Sequence, residues 1–371
     1  MLTMILGDAG SGKTTAVADA VATALADGRR IFLIVPEQET VSCERMMAER
    51  LPAAAPLTFE VTNFTRLSDT VFRKTGGLAA KPAGAAAEQV LMWRTLVGLS
   101  PLLKTMKERP NIGTVERMRE VMAELRAARL DTAALRAAAQ NVQDPALADK
   151  LADYALIAET YRALHGEAYT GTADRLDRLA EMLTRYRPLD GYDLYVDGFS
   201  SFTEQQYAVL AALIEQTDVT VTLCLPDDAP HQISAADALH TLERLSRMAG
   251  ERSIPVRKTV LTGRRRCRSA VTDFIATRLF RADYASLAPW AGAPDDAMRL
   301  VEAYDPMEAS DFVASDILRR VGAGEARFCD FTVVCATNAY RDVIDAALRK
   351  CGIPYFFSVR DTLLTAEPVK L

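Results

Sequence analysis

Metal-binding and cross-linking residues are scarce in this sequence. Its 371 residues hold six cysteines (Cys43, Cys224, Cys267, Cys329, Cys335 and Cys351) and three histidines (His165, His231 and His240), widely spaced and with no C-x-x-C pair. That spacing supports neither a zinc site nor a disulfide framework, and it predicts reduced thiols in a cytoplasmic protein. Tryptophan is limited to Trp93 and Trp290, expected as core or interface anchors rather than platforms for stacked bases. Excess positive charge is missing too. The 44 basic and 49 acidic side chains leave a net charge of −5, which excludes a polycation that coats nucleic acid by bulk attraction but not a local basic groove. No uninterrupted apolar run of about 18 residues occurs, so no membrane span is expected. Glycines from Gly7 onward likewise leave no apolar core for a cleavable leader. Hydrophobic residues at 49% and charged ones at 25% exclude disorder as a general description, and the length predicts two or three domains.

What is present is an alternation of short apolar runs with helical patterns. Leu2–Leu6, Arg30–Val35 and Thr58–Thr62 read as strands, each followed by a helix, which is the βαβ grammar of a parallel sheet. From Gly84 to Arg187 the chain turns to Ala/Leu/Arg-rich helix without a strand. Asp144-Pro145 there reads as an N-cap and first helical residue, followed by apolar residues at steps of three and four from Leu147 to Leu164. Strands resume at Tyr192–Phe199 and Val219–Leu225, joined by a helix around Gln205–Ile214. A further α/β unit is expected from Arg299, with strands Leu300–Tyr304, Phe331–Ala336 and Tyr355–Ser358 and helices Met307–Val321 and Tyr340–Lys350, cut short at Leu371.

Gly7-Asp8-Ala9-Gly10-Ser11-Gly12-Lys13-Thr14 fits G-x-x-x-x-G-K-[ST] and lies between strand Leu2–Leu6 and helix Thr14–Ala26, where a phosphate-binding P-loop belongs. Such a loop turns backbone N–H groups inward around phosphate oxygens. Gly7, Gly10, Ser11, Gly12, Lys13, Thr14 and Thr15 are therefore the expected nucleotide contacts, with the Thr14 hydroxyl on Mg²⁺. Leu194-Tyr195-Val196-Asp197 is an apolar strand ending in an acid, as a Walker B element does, and Asp197 is the expected partner of the metal. Motors follow that acid with a glutamate that polarises the attacking water, whereas this chain has Gly198. Glu204 is the nearest downstream substitute, and it also reads as an ordinary N-terminal helix residue.

Between Arg257 and Arg281 eight basic side chains face one acid, Asp273. Arg264, Arg265, Arg266 and Arg268 head this stretch, which reads either as a track for a phosphate backbone or as a solvated loop facing an acidic partner.

With these residues in view, the chain resembles the N-terminal part of the AddB family, the second subunits of bacterial AddAB helicase–nucleases related to RecBCD. The resemblance is carried by GDAGSGKTT at the start, IFLIVPEQET from Ile31, VTNFTRLSDTVF from Val61, YVDGFSSFTEQQ from Tyr195, and DFTVVCATNAYRDVIDAALRKCGIPYFF from Asp330. It implies an α/β fold: a P-loop RecA-like parallel-sheet domain over 1–80 and 188–290, an all-helical insertion over 81–187, and the start of a second RecA-like domain over 295–371. It also implies ATP and Mg²⁺ as ligands, a motor and nuclease partner resembling AddA, and single-stranded and double-stranded DNA ends as substrate. Any 4Fe–4S cluster is expected in the family's C-terminal part, so none of the six cysteines here is assigned to it. Segments after the second and third strands would touch single-stranded DNA, which places Gln38, Thr40, Phe64, Thr65 and Arg66 against the strand, with Phe202 a lesser member. Phe64 alone reads equally as a core aromatic. Only six residues precede Gly7, leaving no upstream glutamine for adenine, Gly198 lacks a side chain, and Ala336 stands where motors carry an arginine finger. These departures point to a pseudo-helicase that binds nucleotide without turning it over, and the resemblance implies that it scans DNA for a recombination signal in double-strand-break repair; the alternatives are a self-sufficient P-loop ATPase using Glu204 and a purely structural scaffold for a motor subunit.

Overall fold

In the computed structural model, residues 1–51, 58–76, 84–106, 110–168, 175–226, 232–265, 269–283, 285, 287–293 and 297–357 are described. They fall into two compact units, Met1–Trp290 and Ala291–Leu371. The first is built on six strands: β1 (Leu2–Gly7), β2 (Arg30–Ile34), β3 (Phe59–Thr62), β4 (Tyr192–Val196), β5 (Asp218–Cys224) and β6 (Val256–Leu261). Every pairing is parallel, in the order β3-β2-β4-β5-β1-β6.

The central strands are apolar on both faces because helices cover both, as buried parallel sheets require. On β2, Phe32 and Ile34 point into one core while Ile31 and Leu33 point into the other. The second core is closed by α1 (Lys13–Ala26), through Val17, Ala18 and Val21, and by α2 (Thr40–Ala48), through Cys43 and Met47. The first, larger core takes Leu67, Val71 and Phe72 from α3 (Phe64–Thr75), and Tyr207, Leu210 and Leu213 from α9 (Glu204–Ile214). Leu245 and Ala249 come from α10 (Ala236–Glu251). A capping box fixes the start of α9, with Gln206 N donating to Thr203 Oγ1 at 3.2 Å and Thr203 N donating to Gln206 Oε1 at 2.9 Å.

Between β3 and β4 the chain is helical: α4 (Ala85–Leu99), α5 (Ile112–Ala127), α6 (Thr132–Asn141), α7 (Pro145–Ala168) and α8 (Arg175–Tyr186). Leu91, Met92, Met118, Met122, Ile157 and Tyr161 of α4, α5 and α7 form a core of their own. The last helix does not join it: Leu179 and Leu183 of α8 are buried in the sheet's core beside α3 and α9. Within the helical section Asp153, 3% exposed, accepts from Lys104 N at 3.0 Å, Thr105 N at 2.7 Å and Thr105 Oγ1 at 2.6 Å. Asp153→Asn replaces a charged acceptor of three bonds with a neutral one and is expected to cost about 1–3 kcal/mol, read as a lowered midpoint in urea denaturation.

One strand goes unread in the sequence and three expected ones do not form. The basic stretch that begins at Arg257 opens within Val256–Leu261, which is strand β6, paired with β1. It lies at the sheet edge, where charged side chains such as Arg257 and Lys258 deter further pairing. In the second unit, α11 (Pro306–Gly322) and α12 (Arg341–Lys350) pack through Ala314, Ile317, Ile344 and Leu348. Asp305 caps the first of them, accepting from Glu308 N at 2.8 Å, with Pro306 at the first helical position. The expected strands Leu300–Tyr304, Phe331–Ala336 and Tyr355–Ser358 carry no ladder, and Ser358 lies outside the described residues. A strand exists only by pairing, and no partner strand occurs among the described residues of this unit, so Leu300, Tyr304, Val334 and Phe356 stand 92%, 95%, 87% and 91% exposed.

Candidate nucleotide and nucleic-acid site

Parallel pairing brings the carboxyl ends of all six strands to one edge, and the loops that leave it gather the sequence-predicted residues. Gly7 ends β1 opposite Cys224 of β5 and Leu261 of β6. The loop from Gly7 to Gly12 then turns into α1. Gly10 at φ 79° and Gly12 at φ 99° take left-handed conformations that a side chain would strain. At Gly7 a Cβ would lie 2.5 Å from Ser11 Oγ and 2.9 Å from the Leu261 carbonyl. Ser11 is 1% exposed and its hydroxyl has no hydrogen-bond partner among the described residues. Lys13 folds back over the loop, its Nζ donating to Gly7 O at 2.9 Å and Asp8 O at 2.8 Å. Thr14 and Thr15 follow on the first turn of α1, each half-buried. Glycines without room for a Cβ, an unpaired buried hydroxyl and a lysine held only by carbonyls at a helix start fit the phosphates of a nucleotide.

Asp197 follows β4, one strand away from β1 across β5. It is 8% exposed, its N–H donates to Ile34 O at 3.0 Å, and its carboxylate accepts from Thr222 Oγ1 of β5. Gly198 adopts φ +83°, and a Cβ there would lie 2.6 Å from Glu39 Oε2 and 3.1 Å from Pro36 Cδ. The carboxylate tip of the exposed Glu39, from the turn after β2, therefore lies where a Cβ at position 198 would be. Lost hydration and the Asp197 charge both push the Glu39 carboxyl above its ordinary value. The same surroundings, with burial foremost and then Asp197, Glu39 and Glu44, push the Cys43 thiol up to about 11. Nothing in the sequence pattern pointed to Glu39 or Thr222, because only the pairing of β2 and β5 with β4 brings them to Asp197.

Glu204 is engaged elsewhere. Arg244 of α10 holds both its carboxylate oxygens, which keeps the Glu204 carboxyl below its ordinary value, and the same guanidinium lies 3.9 Å over the Tyr207 ring. A paired carboxylate at the start of α9 is an ion-pair anchor rather than an available base.

The residues expected against DNA divide into two groups. Gln38, in the turn after β2, and Thr65 and Arg66, on the first turn of α3, are exposed, with Arg66 Nη1 3.3 Å from Glu44 in a solvent-facing pair. Thr40, Phe64 and Phe202 are interior, at 5%, 4% and 8% exposed. Thr40 Oγ1 donates to Glu37 O at 3.0 Å, and Phe64 meets Phe199 edge-on at 5.7 Å and Phe202 at 6.3 Å. Phe64 has no free face for a base, because the hydrophobic core already occupies it; its reading as a stacking residue is corrected to a core aromatic.

Among the described residues the basic stretch does not form one track. Arg264 pairs with Asp8 and, at 3.0 Å, with Asp273, and Arg265 N donates to Gly10 O at 2.9 Å, so these two arginines flank the P-loop rather than a separate DNA face. Arg278 lies 4.3 Å over the Phe274 ring, and Arg281 pairs with Asp283 at 2.7 Å. Arg266 and Arg268 lie outside the described residues.

The family model described as ADDB, N-terminal, matches residues 4–272, which take in the P-loop, β1 to β6 and Asp197. The chain belongs to this family. Similar curated proteins, each named as a subunit of an ATP-dependent helicase/deoxyribonuclease, include that of Geobacillus kaustophilus (strain HTA426), 30% identical over 98% of this chain and 32% of the relative. Those of Symbiobacterium thermophilum and Clostridium novyi (strain NT) are 30% and 26% identical, over 99% and 95% of this chain. The chain spans about a third of the length of these AddB-family relatives. Among the described residues no helix is long and apolar enough to cross a membrane.

Proposed function

We propose that this chain is the nucleotide-binding and DNA-binding, non-hydrolysing helicase-like section of an ATP-dependent helicase/deoxyribonuclease subunit. It works beside a motor and nuclease partner of the AddA kind, on single-stranded and double-stranded DNA ends in the cytoplasm, in recombination and double-strand-break repair. One observation carries the reading: the phosphate loop and Asp197 are in place, while the residue after Asp197 is a glycine, with the Glu39 carboxylate tip where its Cβ would be. Bound Mg·ATP supplies charge and shape that favour one arrangement of the carboxyl-edge loops. Lys13 and the loop amides hold the polyphosphate, Thr14 and Asp197 would hold the metal, and no side chain is placed after Asp197 to orient a water. Gln38, Thr65 and Arg66 are the exposed groups for single-stranded DNA, where Arg66 meets phosphate or guanine and Gln38 a base edge. In this reading residues 1–80 and 188–290 form the nucleotide-binding domain, 81–187 its helical insertion, and 295–371 the start of a second RecA-like domain.

The test is steady-state, DNA-stimulated ATP hydrolysis. Turnover at background is expected for the chain and is unchanged in Glu204→Gln. Motor-like turnover abolished by Lys13→Ala would overturn the proposal. In parallel, Arg66→Ala should weaken single-stranded DNA binding at low salt, measured by fluorescence anisotropy.

A further inference from the structure

We infer that Arg265 is a phosphate-binding side chain of the P-loop site, contributed in cis by the loop after β6. The inference rests on the reading of the P-loop as a nucleoside-polyphosphate site and adds a residue that the P-loop pattern does not contain.

Pairing of β6 with β1 sets Leu261 opposite Gly7, so the chain leaving β6 runs beside the chain leaving β1. Two contacts then lock the loops together: Arg265 N donates to Gly10 O at 2.9 Å, and the Arg264 side chain joins Asp8 to Asp273. The guanidinium of Arg265 lies against Gly12, where a Cβ would be 3.3 Å from Nη1 and 3.4 Å from Cζ. It therefore sits at the start of α1, beside the backbone that would cradle phosphate.

The two neighbouring arginines differ in their counter-ions. Arg264 has two carboxylates, whereas Arg265 is exposed and makes no ion pair among the described residues. Arg265 thus presents a guanidinium with no protein carboxylate at the positive end of a helix, where an anion is favoured. Ser11, in the same loop, adds a buried hydroxyl with no hydrogen-bond partner among the described residues. A guanidinium is suited to the task because its planar fork meets two oxygens of one phosphate. A DNA backbone would also supply phosphate, but the tether of Arg265 runs to Gly10 of the phosphate loop and not to the segments after β2 and β3.

The experiment titrates fluorescent ATP and, separately, labelled single-stranded oligonucleotide without nucleotide, into the full chain and into Arg265→Ala, Arg265→Lys and Lys13→Ala. Loss of one charge-assisted bidentate contact predicts ATP affinity reduced about tenfold in Arg265→Ala. Partial recovery in Arg265→Lys and unchanged nucleotide-free DNA affinity complete the expected result. If Arg265→Ala binds ATP as the wild type does while Lys13→Ala does not, the inference fails and the P-loop reading stands. If Arg265→Ala keeps ATP and loses DNA, the side chain belongs to DNA and the inference is overturned. If the wild type binds no ATP, the nucleotide reading itself falls and takes this inference with it.

Discussion

Phe64→Ala is expected to lower the stability of the Met1–Trp290 unit by about 3–5 kcal/mol, the cost of emptying a large aromatic site in a packed core. Phe64 is 4% exposed and lies in the cluster that joins α3 and α9 to the sheet. Its ring is one of a chain of aromatics: Phe199 at 5.7 Å, Phe202 at 6.3 Å, and Tyr207 at 5.6 Å beyond Phe202. These contacts add edge-to-face attraction to the lost apolar burial. Urea denaturation of the variant checks the figure. Phe64→Leu separates core from ligand: this smaller apolar side chain keeps part of the burial, so it should cost less than Phe64→Ala and leave DNA affinity unchanged. A stacking residue would behave the other way, with stability kept and DNA affinity lost.

Gly198→Glu, which restores the residue that motors place after the Walker B acid, is expected not to restore ATP turnover and to destabilise the protein by about 1–3 kcal/mol. A non-glycine residue in the left-handed region costs about 1–3 kcal/mol, and Gly198 stands at φ +83°. The new Cβ would lie 2.6 Å from Glu39 Oε2, but that atom is the free end of an exposed side chain that can turn aside, so crowding adds little. A third carboxylate beside Asp197 and Glu39 adds like-charge repulsion, whose direction is already visible in the raised Glu39 carboxyl. Gly198→Glu combined with Glu39→Ala removes the overlap and one like charge but not the backbone strain, so only a small part of the lost stability should return. Thermal unfolding and single-turnover hydrolysis of the two variants read both parts of the prediction. Robust turnover by Gly198→Glu alone would show that the glycine, and not the packing around it, is what silences this site.

Much of this architecture could be read from the chain, and the reason is local. Strands β1 to β5 are apolar runs bounded by glycine, proline or charge, and the P-loop pattern sits between a run and a helix, so each is written within a few residues. What could not be read depends on distant neighbours. Val-Arg-Lys-Thr-Val-Leu at 256–261 has the charges of a surface segment, and only β1 beside it makes it a strand. The runs at 300–304 and 331–336 show the converse: apolar enough for strands, yet without a partner to pair with among the described residues. An aromatic that stacks on bases and one that packs a core have the same letter, so Phe64 is ambiguous until its neighbours are known. Glu39 beside Gly198, and Arg264 beside Asp8 at a separation of 256 residues, carry no sequence signal at all.

That last separation bears on synthesis. β1 and the phosphate loop leave the ribosome well before the strands that flank them, because both neighbours of β1 in the sheet, β5 and β6, come more than two hundred residues later. Until Leu261 and Arg265 have emerged, β1 has a bare edge, Asp8 and Gly10 lack their partners, and the loop has no wall on that side. The nascent chain thus carries its most recognisable motif for most of this stretch of translation without a finished site. If the loop holds nucleotide as proposed, the stabilisation that a ligand of the folded state gives follows the pairing of the last strand.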